Sequence, residues 1–376
     1  MIRHLLAGLG LSLLVACGDS NDSFTPAPAL PDFTAADAWM SDFVENEAAF
    51  PGGSYIIVGR ELGVMHKAVF GNQTEDSLVL LASTTKVPTV TLLMALQDDE
   101  AIDFDTTIPI ASYLPWMGVW DTAITTEHLV SNRSGIPGLI NVFINQSSYL
   151  PHSCQFLPLG TLQACAETIF TSPLPGLVST PAGTAFDYGG SQWQLAGAVA
   201  ELVGGGTWNQ LWDSYIAEPC GLEIATYGNN LSNPTEWDGM PESLIGRDNP
   251  NLEGGMMSNL DDYAKLLLLH LNDGLCGDTR VMSSESVASM RRPLTQDADG
   301  GGYGMGWWLE PAPDAGPVTL FTDGGFYGSL SWIDTTRRYA GVVFFEEYTG
   351  TQGNVGSGGV RDELIPIIEV AIDAVR

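Results

Sequence analysis

The chain has 376 residues, which at about 100–200 residues per domain allows one large domain or a few small ones. Its 45 acidic and 14 basic residues give a formal net charge of -31, which excludes a general nucleic-acid binder and a basic membrane-surface protein and disfavours long-range capture of anionic substrates. Hydrophobic residues make up 44% of the sequence, enough for a packed core, which excludes global disorder.

The N-terminal residues predict an export signal. An apolar run at residues 5–16 is too short to span a bilayer but fits the core of a signal peptide. The sequence LVAC that ends at Cys17 resembles a bacterial lipobox, in which the cysteine carries lipid; an ordinary signal peptide cut near Ala16 is the alternative. We therefore predict a signal peptide at 1–16, then a lipid-bearing Cys17 with a Pro-rich tether as far as residue 32. The expected location is the bacterial cell envelope, or secretion, with membrane contact only through the lipid.

Strand-like and helical patterns follow in a defined order. Helical patterns occur at 35–48, 84–99, 192–203, 207–218, 260–273 and 361–375, and strand-like runs at 54–60, 63–70, 318–321, 329–333 and 339–346. Strands at both ends with a helical middle predict an α+β fold over residues 33–376. In it, one antiparallel sheet built from both chain termini (33–110 and 255–376) is flanked by helices, and a mostly helical part (111–254) is inserted.

Four cysteines remain if Cys17 carries lipid, an even number that suggests two disulfides in an oxidising compartment. Three pairings are open. We favour Cys154–Cys165, which closes a short loop, and this choice leaves Cys220–Cys276. The chain has no CxxC motif, and a lone histidine near Cys154 does not make a tetrahedral site, so no metal ion is expected.

A Ser-x-x-Lys pair marks a candidate nucleophile. Ser83 and Lys86 stand at a predicted helix start, where residues three apart share a face. The positive end of the helix dipole favours a developing serine alkoxide. Burial beside that dipole is expected to lower the pKa of Lys86, which would let the amine act as a base. The pattern alone is weak, but Lys86 is one of only three lysines in the chain.

The chain resembles the serine β-lactamase-like superfamily, which includes class C β-lactamases, DD-peptidases and family VIII esterases. Besides STTK at 83–86, four segments of this chain resemble motifs of that superfamily. They are 124–138 (ITTEHLVSNRSGIPG), 181–190 (PAGTAFDYGG), 254–263 (GGMMSNLDDY) and 303–307 (YGMGW). These segments follow the order of the family from about residue 35 to the C-terminus. The resemblance implies the fold of that superfamily and hydrolysis through an acyl-enzyme.

By this resemblance Tyr188 is the tyrosine of the second motif. Its phenolate, held by Lys86, would take the proton of Ser83 and later pass it to the leaving group, and the nearby ammonium is expected to lower the tyrosine pKa. Gly190, predicted to border the substrate, stands where the family carries an Asn that orients the lysine and the acyl amide of the substrate. The absence of this Asn disfavours the hydrolysis of β-lactams and peptides.

The third motif, Lys-Thr-Gly or His-x-Gly in the family, falls on the sequence DGGF. Asp323 replaces the cation that holds a substrate carboxylate, and it is expected to repel such a group inside the cleft. Gly324 and Gly325 are predicted to let substrate lie near the backbone, with a β-bulge as the alternative explanation for the pair. The backbone N–H groups of Ser83 and Phe326 are the predicted oxyanion hole.

These features predict a serine hydrolase that acts through an acyl-enzyme on Ser83, most simply a carboxylesterase for small neutral esters, because an ester needs no carboxylate anchor. The first alternative is an amide hydrolase of the DD-peptidase, class C β-lactamase or D-aminopeptidase type. The second is an inactive, surface-tethered binding protein on the same fold. We expect a monomer that binds a small ester or amide, uses no cofactor and binds no nucleic acid.

Overall fold

The computed structural model describes residues 29–46, 50–140, 144–229, 237–298, 301–311, 316–345 and 353–376. The predicted signal peptide, Cys17 and most of the predicted tether lie outside these residues. Pro31–Arg376 form one compact unit.

Helices and strands alternate irregularly along this unit. The α-helices are α1 Thr34–Asn46, α2 Lys86–Asp98, α3 Thr126–Val130, α4 Gln146–Tyr149, α5 Leu162–Thr171, α6 Gln192–Gly204, α7 Trp208–Trp212, α8 Glu218–Cys220, α9 Leu260–Leu271, α10 Ser284–Met290, α11 Gly353–Gly359 and α12 Ile365–Asp373. The strands are β1 Gly52–Gly59, β2 Gly63–Gly71, β3 Val79–Leu80, β4 Thr226–Tyr227, β5 Met256–Ser258, β6 Leu275–Cys276, β7 Thr279–Arg280, β8 Thr295–Ala298, β9 Gly301–Tyr303, β10 Trp308–Glu310, β11 Leu320–Gly324, β12 Leu330–Asp334 and β13 Tyr339–Phe345. Short 3₁₀ segments lie at Ala82–Thr85, Ile110–Ser112, Leu150–Phe156 and Pro241–Ser243, and π-helical turns at Asp213–Ala217 and Val360–Leu364.

The main sheet joins the two ends of the chain, as predicted. Among the described residues it has eight strands in the order β2-β1-β13-β12-β11-β10-β9-β8. Every pairing in it is antiparallel, and β1 meets β13 in a register that runs from Gly53 opposite Phe345 to Gly59 opposite Tyr339. The predicted α+β class with an antiparallel sheet built from both termini is therefore confirmed.

Both faces of this sheet are covered. Alternate side chains of a strand point to opposite faces, and in β1 Tyr55 and Ile57 pack into a cluster with α1 and α12, while Ile56 and Val58 join the larger core around α2 and α9. All eight residues of β1 are buried, which explains its nearly continuous apolar sequence. Helix α2 is buried from Lys86 to Leu96, so the helix that carries the candidate lysine runs through the interior.

The sequence patterns missed some elements. The final helical stretch begins at Gly353 instead of 361, because glycine-rich sequence has a low helix propensity and does not predict a helix. Strands β8 to β10 were not predicted, since short strands with glycine lack a clear period. The stretch 139–180, which reads as a long loop-rich insertion, contains α4, a 3₁₀ segment and α5.

The structure pairs the cysteines as the sequence favours. Cys154 bonds to Cys165, and Cys220 bonds to Cys276, with Cα atoms 5.5 Å and 5.0 Å apart. Among the helices that the structure describes, none has the length and apolar character needed to cross a membrane.

Candidate active site

Ser83 lies on a short 3₁₀ turn, Ala82–Thr85, that runs directly into α2. The turn begins with Ala82 at a φ of 46°, a left-handed conformation that costs a residue with a Cβ about 1–3 kcal/mol. Thr84 and Thr85 are buried, whereas Ser83 is only half-buried. Ser83 is therefore the one partly exposed residue of an otherwise buried turn.

Lys86 is completely buried. Its Nζ donates to the Oγ of Ser83 at 3.0 Å and to the backbone carbonyl of Glu253 at 2.9 Å. The carboxylate Oε2 of Glu253 lies 3.6 Å from the same nitrogen. The three-residue spacing thus brings the serine hydroxyl and the lysine amine into contact, as the sequence predicts.

Tyr188 completes the group. Lys86 Nζ lies 4.6 Å from the centre of the tyrosine ring, and the side chains of Ser83 and Lys86 are both close enough to act on the pKa of the tyrosine hydroxyl. Its backbone is fixed on both sides, because the N–H of Leu139 donates to the Tyr188 carbonyl at 2.7 Å and the N–H of Asp187 donates to the Asn132 carbonyl at 2.8 Å. The three side chains predicted to be catalytic are therefore in mutual contact.

The predicted pKa directions are wrong for both bases. Burial lowers the pKa of Lys86, but the negative charges that Tyr188, Glu253 and Asp323 carry when they are ionised outweigh that effect and raise it above its ordinary value. Burial also raises the pKa of Tyr188, and Lys86 offsets the rise only in part. The resting pair is therefore an ammonium beside a neutral phenol, and one proton must leave before either group can act as a base.

Asp323 does not lie where the sequence predicts. Its side chain is fully buried, and its Oδ2 accepts a hydrogen bond at 3.3 Å from the backbone N–H of Val87, in the first turn of α2. Burial raises the pKa of this carboxyl well above its usual range. The Asp323 side chain points inward because of its position on β11, and it lies beneath α2. Asp323 is therefore not placed to repel a substrate carboxylate.

Gly190 is buried and closely packed. It is buried with a φ of +87°, and its N–H donates to Oε2 of Glu253 at 2.8 Å. A Cβ at this position would lie 3.0 Å from the hydroxyl of Tyr149 and 3.1 Å from the backbone of Gly138. The predicted substrate-binding role of Gly190 is replaced by a structural one, in which the glycine admits a close backbone approach.

The β11–β12 hairpin packs against the Ser83 turn. The Gly325 N–H donates to the carbonyl of Ser329 at 2.7 Å, and a Cβ on Gly325 would lie 2.3 Å from the carbonyl oxygen of Leu81. Only glycine fits so close to the Leu81 carbonyl. The close approach, and not a β-bulge, therefore requires glycine at position 325. Phe326 follows at the corner of the hairpin with 49% of its surface exposed. The oxyanion hole formed by the N–H groups of Ser83 and Phe326 stays a prediction.

Sequence reasoning missed Glu253. This buried carboxylate touches Lys86, Gly190 and Gln155, and it stands directly before the Gly254-Gly255 motif. The sequence shows an acidic residue in a stretch that becomes buried on folding. Carboxylates are seldom buried unless they are paired, so such a residue indicates a partner nearby.

The Beta-lactamase family model matches residues 36–358, which is most of the chain. The chain belongs to the Beta-lactamase family. Members of this family are serine hydrolases, and in this one Ser83, Lys86 and Tyr188 lie side by side. A relative, Penicillin-binding protein 4 of Amycolatopsis lactamdurans, is 25% identical over 275 residues, and the match covers 66% of each protein, just under two thirds of the relative.

Solved structures share the fold of this family member. A putative beta-lactamase from Bacteroides dorei DSM 17855 superimposes with a TM-score of 0.68 at 22% identity, over 89% of this chain and 99% of that one. A family VIII carboxylesterase superimposes with a TM-score of 0.62 at 19% identity, over 86% of this chain and 93% of that one. At these identities the likeness establishes the fold.

Aromatic side chains stand beside the catalytic group of this Beta-lactamase family chain. Trp308 stacks on Tyr188 with ring centres 5.5 Å apart, and Phe186 meets Trp308 edge-on at 5.8 Å. Both Phe186 and Trp308 are half-buried. Across the described residues, no group of three or more His, Cys, Asp or Glu side chains is arranged to hold a metal ion.

We expect kcat/KM to rise with pH from neutral into the alkaline range. The pKa values of Lys86 and Tyr188 are both raised, so the pair keeps its full set of protons at neutral pH, and raising the pH removes the one that blocks base catalysis. The measurement is kcat/KM for a neutral ester between about pH 6 and pH 10. A rate that is flat or falls over this range, in protein that stays folded, would contradict these pKa directions.

Proposed function

We propose that this chain is a carboxylesterase that cleaves small neutral esters through an acyl-enzyme on Ser83. The observation that carries the proposal is the partly exposed Ser83, whose hydroxyl lies 3.0 Å from the amine of Lys86, with Tyr188 beside both. A serine needs such an adjacent base to become a nucleophile. The contact also argues against an inactive binding protein, since a buried lysine aimed at a serine serves no evident binding role.

The reaction proceeds in two halves. After the Lys86–Tyr188 pair has lost a proton, it takes the proton of Ser83, and Oγ forms a bond to the ester carbonyl carbon. The bond from that carbon to the alcohol oxygen breaks, and the pair returns the proton to the departing alcohol. The oxygen of a water molecule then forms a bond to the acyl carbon, the bond from that carbon to Ser83 Oγ breaks, and the same pair carries a proton from the water to Oγ. The products are the free acid and the alcohol, and the enzyme is regenerated.

The preference for esters rests on the third motif. Asp323 is buried, and Gly324 and Gly325 have no side chains, so the motif presents no cation to hold a substrate carboxylate. An ester needs no such anchor. The formal charge of -31 adds a long-range field that lowers the local concentration of anions, and this field supports neutral substrates.

A specific observation favours one further candidate, an amide hydrolase of the penicillin-binding type. The chain is 25% identical to Penicillin-binding protein 4 over 275 residues, and that relative is named for binding penicillin. The same Ser83 acyl-enzyme chemistry serves an amide or a β-lactam, so the two functions differ in the substrate pocket and not in the catalytic group.

A substrate panel separates the candidates. We expect kcat/KM for p-nitrophenyl butyrate, a short neutral ester, to exceed the values for a chromogenic cephalosporin and for a D-Ala-D-Ala peptide by about 100-fold or more. Each rate is measured beside the Ser83→Ala variant, which removes background hydrolysis. Faster turnover of the cephalosporin or the peptide than of the ester would reject the esterase proposal and favour the amide hydrolase.

We further propose that the protein acts at the cell envelope, held by lipid at Cys17. Two disulfides in the folded unit support an oxidising compartment, because cytosolic proteins rarely keep such bonds. The lipobox-like sequence before Cys17 supports the anchor.

A further inference from the structure

Glu253 contacts the candidate lysine at two points. Its backbone carbonyl accepts a hydrogen bond from Lys86 Nζ at 2.9 Å, and its Oε2 lies 3.6 Å from the same nitrogen. Glu253 is only 4% exposed and Lys86 is fully buried, so both charges have left water. A buried charge pair is retained only when its geometry is well satisfied, and removing one partner leaves the other uncompensated.

The Tyr188 loop is shaped to admit this carboxylate. Gly189 and Gly190 both adopt positive φ, and a Cβ on Gly189 would lie 2.5 Å from Oε2 of Glu253. The Gly190 N–H donates to that oxygen at 2.8 Å. The carboxylate oxygen of Glu253 therefore occupies space that a side chain at Gly189 would fill.

The second carboxylate oxygen is held by the inserted helical segment. Gln155 Nε2 donates to Oε1 of Glu253 at 2.7 Å, and the hydroxyl of Tyr149 donates to Gln155 Oε1 at 2.8 Å. That hydroxyl in turn accepts from the Ser191 N–H at 2.7 Å. The Cys154–Cys165 disulfide ties this segment to α5, so the support is covalently fixed next to Gln155.

We propose that Glu253 is a positioning residue, which holds the Lys86 amine within reach of Ser83 from the opening left by Gly189, where it also accepts a hydrogen bond from the Gly190 N–H. The inference rests on the proposed Ser83 acyl-enzyme chemistry, but not on the identity of the substrate. Loss of Glu253 then disturbs nucleophile activation more than it disturbs substrate binding.

The charge of Glu253 gives the proposal a measurable signature. Burial raises the pKa of Glu253, whereas Lys86 and the N–H groups of Gly190 and Gln155, from which its two oxygens accept, act against that rise and favour the ionised carboxylate. The titratable groups packed around Lys86 are Tyr188, Glu253 and Asp323. Tyr149 is a further titratable group, and it lies close to Glu253. Removing the negative charge of Glu253 makes proton loss from Lys86 easier, so the rising limb of a pH–rate profile moves to lower pH.

The test is the rate at which a fluorophosphonate labels Ser83, measured against pH in the full chain and in Glu253→Gln. This probe reports nucleophile activation whether or not esters are substrates, so failure of the esterase proposal leaves the readout intact. In E253Q we expect the midpoint of the rise to move down by about 1 pH unit or more. The plateau rate should fall about 10-fold or more, because the amine is no longer held in place. With a hydrolysed substrate, kcat should fall more than KM changes.

Glu201→Gln is the matched control. Glu201 also accepts from a glutamine Nε2 (Gln163, 2.9 Å) and from a backbone N–H (Trp208, 2.8 Å), but it does not touch Lys86. E201Q should therefore keep the parent midpoint and plateau. If folded E253Q keeps both as well, or changes only as E201Q does, Glu253 has a structural role alone and the proposal is overturned.

A second variant covers the case in which E253Q does not fold. Gln155→Met removes the donor to Oε1 but leaves the charge of Glu253. The proposal then expects a slower plateau rate of labelling with no downward movement of the midpoint. An unchanged labelling rate in folded Q155M would overturn it.

Discussion

Replacing Ser83 by alanine is expected to lower kcat by about 10⁴-fold or more, because the change removes the only atom that can form the acyl-enzyme. The chain should stay folded, since Ser83 is half-buried at the start of α2 and loses a single hydroxyl. The measurement is kcat on a neutral p-nitrophenyl ester, with circular dichroism to confirm the fold.

Ser191→Ala is the matched control for this loss. Ser191 forms a serine–histidine pair of its own, in which Ser191 Oγ and His152 Nδ1 lie 2.7 Å apart, but both residues are fully buried. S191A should keep kcat within about 10-fold of the parent value. If S191A loses activity while Ser83→Ala retains it, the nucleophile has been assigned to the wrong serine.

Lys86→Ala and Tyr188→Phe are each expected to lower kcat by about 10³-fold or more, and the double variant to cost little beyond either alone. Lys86 donates a hydrogen bond to Ser83 and lies against the ring of Tyr188, so the two groups act as one unit and their effects do not add. The measurement is a double-mutant cycle on kcat with the same ester.

Tyr227→Phe controls for the loss of a buried tyrosine hydroxyl. Its hydroxyl lies 3.1 Å from Oγ1 of Thr89 in the interior, beneath α2 and away from Ser83. Y227F should change stability more than kcat. Losses for Lys86 and Tyr188 that multiply in the double variant would mean that the two groups work independently, contrary to the contacts seen here.

The contacts that local spacing determines could be predicted from the sequence. Ser83 and Lys86 are three residues apart at a helix start, so their contact follows from helix geometry alone. The position of Tyr188 came from a motif resemblance, and the structure places its ring 4.6 Å from Lys86 Nζ, measured to the ring centre. The sheet built from both termini followed from strand patterns at the two ends of the chain.

The electrostatics of the site could not be predicted in this way. The carboxylates that raise the pKa of Lys86 come from segments far apart in sequence, Glu253 before β5 and Asp323 on β11, and no local pattern reports that they converge. Asp323 was expected to face the cleft because its motif position was known but the direction of its side chain was not. The strand register decides that direction, and it points the carboxyl beneath α2.

The most direct test of the central claim is the mass of the intact protein after brief reaction with a p-nitrophenyl ester and an acid quench. We predict a single adduct whose mass equals one acyl group, located by peptide mapping on Ser83 and absent from the Ser83→Ala variant. An adduct on another residue, or ester turnover that never yields a covalent intermediate even in the slowed Tyr188→Phe variant, would contradict acyl-enzyme catalysis at Ser83.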